Sequence, residues 1–240
     1  AVESELKLLS RRHSLTDVEA SVSAARKAGI DNISLDLMLG IPNQTKESLK
    51  QSVDVVLSQG VEHISAYLLS LEKGTALYNK RNTLNIPNED EAGEFYLQVC
   101  RLLKNAGYDR YEISNFAKNN KISRHNTKYW LGEEYLGLGP AAHSFVGGKR
   151  FYYERDLKAY LTNPIEVCDG DGGGLSEFIM LRLRLKSGIS LNDMVSRFGN
   201  EITLEALDRV KQKANLFSKK FLFFSGDFQG CFQPVLKLSS

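Results

Sequence analysis

The stretch Asn32-Ile-Ser-Leu-Asp-Leu-Met-Leu-Gly-Ile-Pro-Asn-Gln44 decides how this chain is read. Ile33, Leu35 and Leu37 alternate with Ser34, Asp36 and Met38, the two-residue period of a half-buried strand. Gly40-Ile-Pro-Asn43 then breaks the strand, and a helical pattern follows Thr45. Asp36 stands inside the apolar run and shares a face with Ser34. A carboxylate there is costly unless water, a counter-charge or a ligand meets it. In α/β folds, ligands gather at the C-terminal ends of strands. The residues alone leave two readings: Asp36 holds a ligand, or it caps a neighbouring loop.

Outward from that stretch, helices and strands alternate. Leu15 to Gly29 reads as a helix, with Val18, Val22 and Ala25 at helical spacing. Glu47 to Ser58 is a second helix, with Leu49, Val53, Val56 and Leu57 on one face. In the strand Val61 to Leu69, His63, Ser65 and Tyr67 share one face and Ile64, Ala66 and Leu68 the other. Residues 73–88 read as loop, Glu89 to Ala106 as a third helix and Tyr108 to Ser114 as a third strand. This order predicts parallel βα units. About three are visible, too few for an eight-fold barrel, and a parallel sheet needs cover on both faces or closure. Part of a barrel is therefore expected, with an exposed parallel edge at the strand of residues 32–38. Such an edge invites self-association, unless the N-terminal helix around Leu6–Leu9 covers it.

From Phe116 to Ser144 the pattern turns irregular, through Arg124-His-Asn-Thr-Lys-Tyr-Trp130 and Glu134-Tyr-Leu-Gly-Leu-Gly-Pro-Ala-Ala-His-Ser144. A loop of this length points to function or disorder. Trp130, the only tryptophan, and the tyrosines around it argue against disorder. Asp169-Gly-Asp-Gly-Gly-Gly174 reads as a linker between residues 1–168 and a small helical domain, residues 175–240. Helices over Leu175–Leu185, Ile189–Phe198 (with Ser190 as its cap) and Ile202–Val210, then a strand over Phe217–Phe224, predict a winged-helix-like appendix. Glu201, Glu205 and Asp208 oppose DNA binding there.

With 42% hydrophobic and 25% charged residues in 240, the composition is that of an ordinary globular chain. A net charge of +2 and no basic stripe give no case for nucleic acid. No apolar run nears the roughly 20 residues that span a bilayer. Cys100, Cys168 and Cys231 are widely spaced and odd in number, which fits a reducing cytoplasm and shows no close metal-ligand pair. Ala1 to Arg12 has no initiator Met and no signal segment; it reads as a start inside a domain, or as a processed or trimmed end.

Three stretches carry a resemblance: Leu9-Ser-Arg-Arg-His-Ser14, Asp36-Leu-Met-Leu-Gly-Ile-Pro-Asn-Gln-Thr45, and Arg124-His-Asn-Thr-Lys-Tyr-Trp130 with Gly137-Leu-Gly-Pro-Ala-Ala-His-Ser144. They resemble the radical S-adenosylmethionine (SAM) proteins of the oxygen-independent coproporphyrinogen III oxidase family, and most nearly its shorter haem-chaperone branch. The resemblance covers about residues 1–210. It implies a partial (β/α) barrel that holds SAM and an iron–sulfur cluster, followed by a small helical domain. It implies that Asp36 binds the SAM ribose hydroxyls, that Arg11 faces the SAM carboxylate, and that Leu69 and Ser70 lie near the adenine. Without it, Arg11 beside Arg12 reads as an ordinary solvated charge.

For His125, Tyr129 and Trp130 the resemblance implies a tetrapyrrole site, since imidazole ligates iron and aromatic rings stack on a macrocycle. By their residue types alone, Trp130 reads as core, and His125 as either a loop cap or a ligand; His143 reads as structural. The family's Cys-x-x-x-Cys-x-x-Cys motif is absent, and three thiolates are needed to hold a cluster with one open iron. The chain is therefore expected to be a C-terminal portion that carries no cluster and no radical chemistry of its own. The resemblance implies a cytoplasmic protein of haem metabolism, an oxidase that decarboxylates coproporphyrinogen III or, alternatively, a chaperone that delivers haem. The tail after about residue 217 departs from the family pattern.

Overall fold

The computed structural model describes the backbone of residues 1–221 and the side chains of residues 1–209. It divides into two compact units, Ala1–Ile122 and Ser123 onward.

The first unit opens with α1 (Glu3–Leu8) and α2 (Leu15–Lys27). Then come β1 (Ser34–Leu39), α3 (Lys46–Ser58), β2 (His63–Leu68), the short α4 (Ala76–Asn79) and α5 (Glu89–Asn105). Reciprocal capping boxes start the three long helices, Ser14 with Asp17, Thr45 with Ser48 and Asn88 with Glu91. Two short strands follow, β3 (Asp109–Arg110) and β4 (Asn115–Ala117). The strand order is β1-β2-β4-β3.

β1 and β2 are parallel, as a βαβ unit requires, in the register Ser34 with His63, Asp36 with Ser65 and Met38 with Tyr67. The third strand expected over 108–114 is corrected. The chain turns back there, and β4 pairs antiparallel with both β2 and β3. The cause is local. The buried Glu112 carboxylate accepts from Ser114 N–H at 2.8 Å and from the Asn115 amide, which fixes a turn where a strand would otherwise continue. β3 still runs in the sense of β1 and β2, one strand further out.

The core of this unit is continuous. Leu39, Leu49, Val53, Val61, Ile64, Val99 and Leu103 are all 0% exposed. They come from β1, α3, the loop leading into β2, β2 itself and α5, so the helices' apolar stripes close on one face of the sheet. Each such side chain contributes roughly 1.5–3 kcal/mol of burial. β1 is at the edge of this sheet, and Leu6 and Leu9 line the same cavity as Leu35 and Leu37.

The second unit contains α6 (Arg124–Leu131), β5 (His143–Val146), β6 (Lys149–Tyr153), α7 (Leu157–Thr162), β7 (Glu166–Asp171), α8 (Leu175–Arg182) and α9 (Leu191–Phe221). α9 is broken at Gly199, whose φ of 82° and ψ of 167° are not helical. The strands form an antiparallel sheet in the order β5-β6-β7. Three expectations change here. Residues 124–131 are helical, not irregular: Ser123 accepts from Asn126 N–H at the start, and Gly132 closes the helix at φ 64°. The glycine-rich stretch 169–174 begins inside β7, because Phe151 pairs with Cys168 and Lys149 with Asp171. The wing strand expected over 217–224 is absent as far as Phe221, where the backbone is still helical; 222–224 lie outside the described residues. Phe145, Phe178, Leu185 and Met194 are the buried apolar centre of this unit.

Candidate functional site

The signature after β1 is first of all a structural device. Gly40 sits at φ 72° and lets the chain leave the strand sharply, while Ile41 and Pro42 are buried beneath the turn. Gln44 is 7% exposed, and its Oε1 accepts from Gly40 N–H at 2.8 Å. Its Nε2 donates to Glu5 Oε2 at 3.4 Å. Glu5 also accepts from Ser48 Oγ at 2.7 Å, so a buried carboxylate on α1 clamps the loop and the first turn of α3. Thr45 then caps α3. These bonds hold the C-terminal end of β1 rigidly and leave Asp36 as the exposed carboxylate of that strand.

Asp36 opens into a cavity of about 430 Å³, large enough for a nucleoside-sized ligand. Ser34, Met38, Tyr67, Arg11 and His13 share its lining. The structure thus brings Arg11 and Asp36 into one cavity, although 25 positions separate them (36 − 11). A carboxylate and a guanidinium fork are the donor set that a hydroxyl-bearing carboxylate ligand such as SAM needs. Leu69 and Ser70 lie just beyond β2 and are not in that lining. Leu69 N–H donates to Leu39 O at 2.8 Å, and Ser70 Oγ donates to Glu72 Oε1 at 2.8 Å.

Behind the cavity lies a histidine. His63 is 4% exposed, with Nδ1 at 2.7 Å from Ser34 Oγ and Nε2 at 2.8 Å from Tyr111 Oη. Burial holds its pKa below the ordinary value, and the charge of Asp36 acts in the opposite direction. The strand period places His63 on the polar face in the sequence, but nothing in the spacing points to Tyr111. That contact depends on the hairpin at Glu112.

In the second unit His125 and Tyr129 stand four residues apart on α6, so they share a face. Tyr129 Oη is 3.0 Å from His125 Nε2, and the rings meet edge to face at 5.0 Å. Tyr135 packs edge-on against Tyr129 at 4.6 Å. His125 is exposed. Trp130 does not join this pair. The Arg184 guanidinium lies 4.1 Å over its ring, and it shares a small cavity lining with Phe145 and Phe178. His143 pairs with Asp169 at 3.3 Å and stacks on Tyr152 at 4.9 Å.

Cys100 is buried on α5 and Cys168 exposed on β7. Among the described residues no group of three or more histidines, cysteines and carboxylates is gathered for a metal. The cavity residues carry the groups that SAM needs, and among the described residues no thiolate set is gathered for an iron–sulfur cluster. Among the described residues no helix is long and apolar enough to cross a membrane.

No protein-family model matches the chain. Individual proteins do. The chain is 34% identical over 209 residues to the heme chaperone HemW of Bacillus subtilis, an alignment covering 82% of this chain and 55% of that one. It is 32% identical over 203 residues to the mitochondrial radical S-adenosyl methionine domain-containing protein 1 of Danio rerio, covering 77% and 46%. Its fold matches the coproporphyrinogen III oxidase of Escherichia coli, a radical SAM enzyme, with a TM-score of 0.72 at 15% identity, over 91% of this chain and 55% of that one. The chain spans about half the length of the curated relatives it matches. It belongs to the radical SAM family of the oxygen-independent coproporphyrinogen III oxidases, near the haem-chaperone branch, and its fold is a partial radical SAM α/β barrel.

Proposed function

We propose that the chain supplies the SAM-side and tetrapyrrole-side contacts of a haem-handling radical SAM protein, and that it handles haem as cargo and does not decarboxylate coproporphyrinogen III. The observation that carries this reading is the His125–Tyr129 pair on α6, with His125 exposed and Tyr129 half-buried. An imidazole within reach of solvent and backed by two tyrosines that meet edge to face is a ligand set for a flat iron macrocycle. The relatives named heme chaperones support the same choice. For iron to bind Nε2, the Tyr129 hydroxyl must swing aside; binding at Nδ1 leaves that hydrogen bond intact.

At the other site Asp36 accepts from the two ribose hydroxyls of SAM, and Arg11 pairs with its carboxylate. Leu69 and Ser70, at the strand ends, border the adenine. Trp130 belongs to the packing of the second unit and only supports α6. The chain by itself runs no radical step, since its three cysteines stand in no cluster spacing. A reducing cytoplasm suits that cysteine usage.

The test is a haem titration of the 240-residue chain, read at the Soret band, beside SAM calorimetry. His125→Ala should weaken haem binding and shift the band without touching SAM. Asp36→Ala should cost SAM about 2–4 kcal/mol and leave haem alone. Haem binding unchanged in folded His125→Ala removes the tetrapyrrole assignment. The oxidase reading is favoured by the fold match to coproporphyrinogen III oxidase. It wins if His125→Ala abolishes decarboxylation in a full-length relative while haem binding persists.

A further inference from the structure

The polar face of the sheet holds more than Asp36. The parallel register sets Ser34 beside His63 in one row and Asp36 beside Ser65 in the next. Ser34 and Asp36 both line the cavity, two residues and so roughly 6–7 Å apart along the strand. His63 itself is sealed beneath them, and both its ring nitrogens are engaged, one by Ser34 and one by Tyr111. We propose that Ser34 is a second contact for the ligand on Asp36, and that His63, held by Tyr111, is the positioning residue that fixes whether the Ser34 hydroxyl donates or accepts.

The chemistry follows from counting protons on a neutral imidazole. It carries one N–H and one lone pair. If Nε2–H donates to Tyr111 Oη, Nδ1 accepts the Ser34 proton, and Ser34 can only accept from a ligand. If Tyr111 donates to Nε2, Nδ1–H donates to Ser34 Oγ, and the Ser34 proton is free to be given. Either arrangement leaves the serine with one defined role at the cavity wall. Burial keeps the ring neutral, which is what such a relay needs. A nucleoside fits the pattern: its diol occupies Asp36, and a further polar atom of the sugar or its 5′ substituent lies a few ångströms away, at Ser34.

This inference rests on the nucleoside reading of the Asp36 cavity, and the test separates the two. SAM and adenosine are titrated calorimetrically into the 240-residue chain and its variants, with the His63 ring nitrogens followed by NMR. Ser34→Ala should weaken binding roughly 3- to 10-fold, the net loss of one hydrogen bond. Tyr111→Phe should lose less, about 2-fold, and should leave the His63 ring a mixture of tautomers. In the wild-type chain the ligand should shift the His63 Nδ1 resonance, and in Ser34→Ala it should not. His63→Gln should retain part of the affinity that His63→Phe loses, because its amide can still meet Ser34. If Asp36→Ala loses binding while folded Ser34→Ala binds as wild type and the Nδ1 shift persists, the inference fails and the nucleoside reading stands. If the wild-type chain binds neither SAM nor adenosine, both fail.

Discussion

The two units solve the problem of holding polar side chains in place by different means. In the first, a strand register does it. Ser34, Asp36, His63, Ser65 and Tyr67 share a face because β1 and β2 pair residue for residue, over a core whose members reach 0% exposure. In the second, a helix turn and ring contacts do it. His125 meets Tyr129 at helical spacing, and guanidinium groups cover aromatic rings: Arg184 on Trp130 at 4.1 Å, Arg150 on Phe145 at 4.9 Å. Its apolar residues are less well covered. Leu138 is 82% exposed, Leu161 73% and Leu136 63%. The candidate SAM face is therefore as rigid as the core beneath it, whereas the candidate tetrapyrrole face rests on a thinner support that leaves apolar surface open.

The largest difference between the two units is expected in their cores. Leu49→Ala, at a site with no exposure, should destabilise the chain by about 3–5 kcal/mol in urea unfolding followed by circular dichroism. Leu138→Ala should stay within about 0.5 kcal/mol of wild type. Equal effects would erase the contrast. Trp130 is the only tryptophan and lies in the second unit, so its fluorescence gives a transition to set against the dichroism.

A smaller effect sharpens the first half. Thr45→Ala removes the cap that ties the signature loop to α3 and should cost about 1 kcal/mol. Asp36 itself makes no hydrogen bond that holds the loop, so Asp36→Ala should leave thermal stability near wild type while weakening SAM binding. A large fall in melting temperature would make it a structural carboxylate.

Acid should act on the first unit through His63. Burial lowers its pKa from 6.5 in the folded state, so the unfolded chain takes up the proton first. The stability tied to the neutral ring is present above pH 6.5 and is lost as pH falls through the folded value. His63→Gln should flatten this acid limb of the melting curve; an unchanged limb would assign it to other groups. The smallest effect belongs to the second unit. Tyr129→Phe removes one exposed hydrogen bond to His125 and should cost no more than about 0.5 kcal/mol.

Much of the first unit was legible in the sequence, because each signal there is local. The alternation over 32–38 and the apolar stripe of α3 both reduce to period and residue type. Where a local bond opposed the period, the reading failed: Glu112 turns a strand into a hairpin, and a glycine-rich stretch still pairs as β7. The helix of residues 124–131 was missed because polar residues fill its exposed face, leaving a short apolar signal.

The alternation of helices and strands, the polar face that carries Asp36 and the motifs that mark the family are readable from residue order alone. Only the tertiary structure decided that Arg11 and Asp36 line one cavity, that His63 stands between Ser34 and Tyr111, and that Trp130 packs under Arg184, apart from His125. The physical reason is range. Period and capping act within a few residues, whereas a cavity wall or a hydrogen-bond chain joins strands whose order is set by packing the whole core.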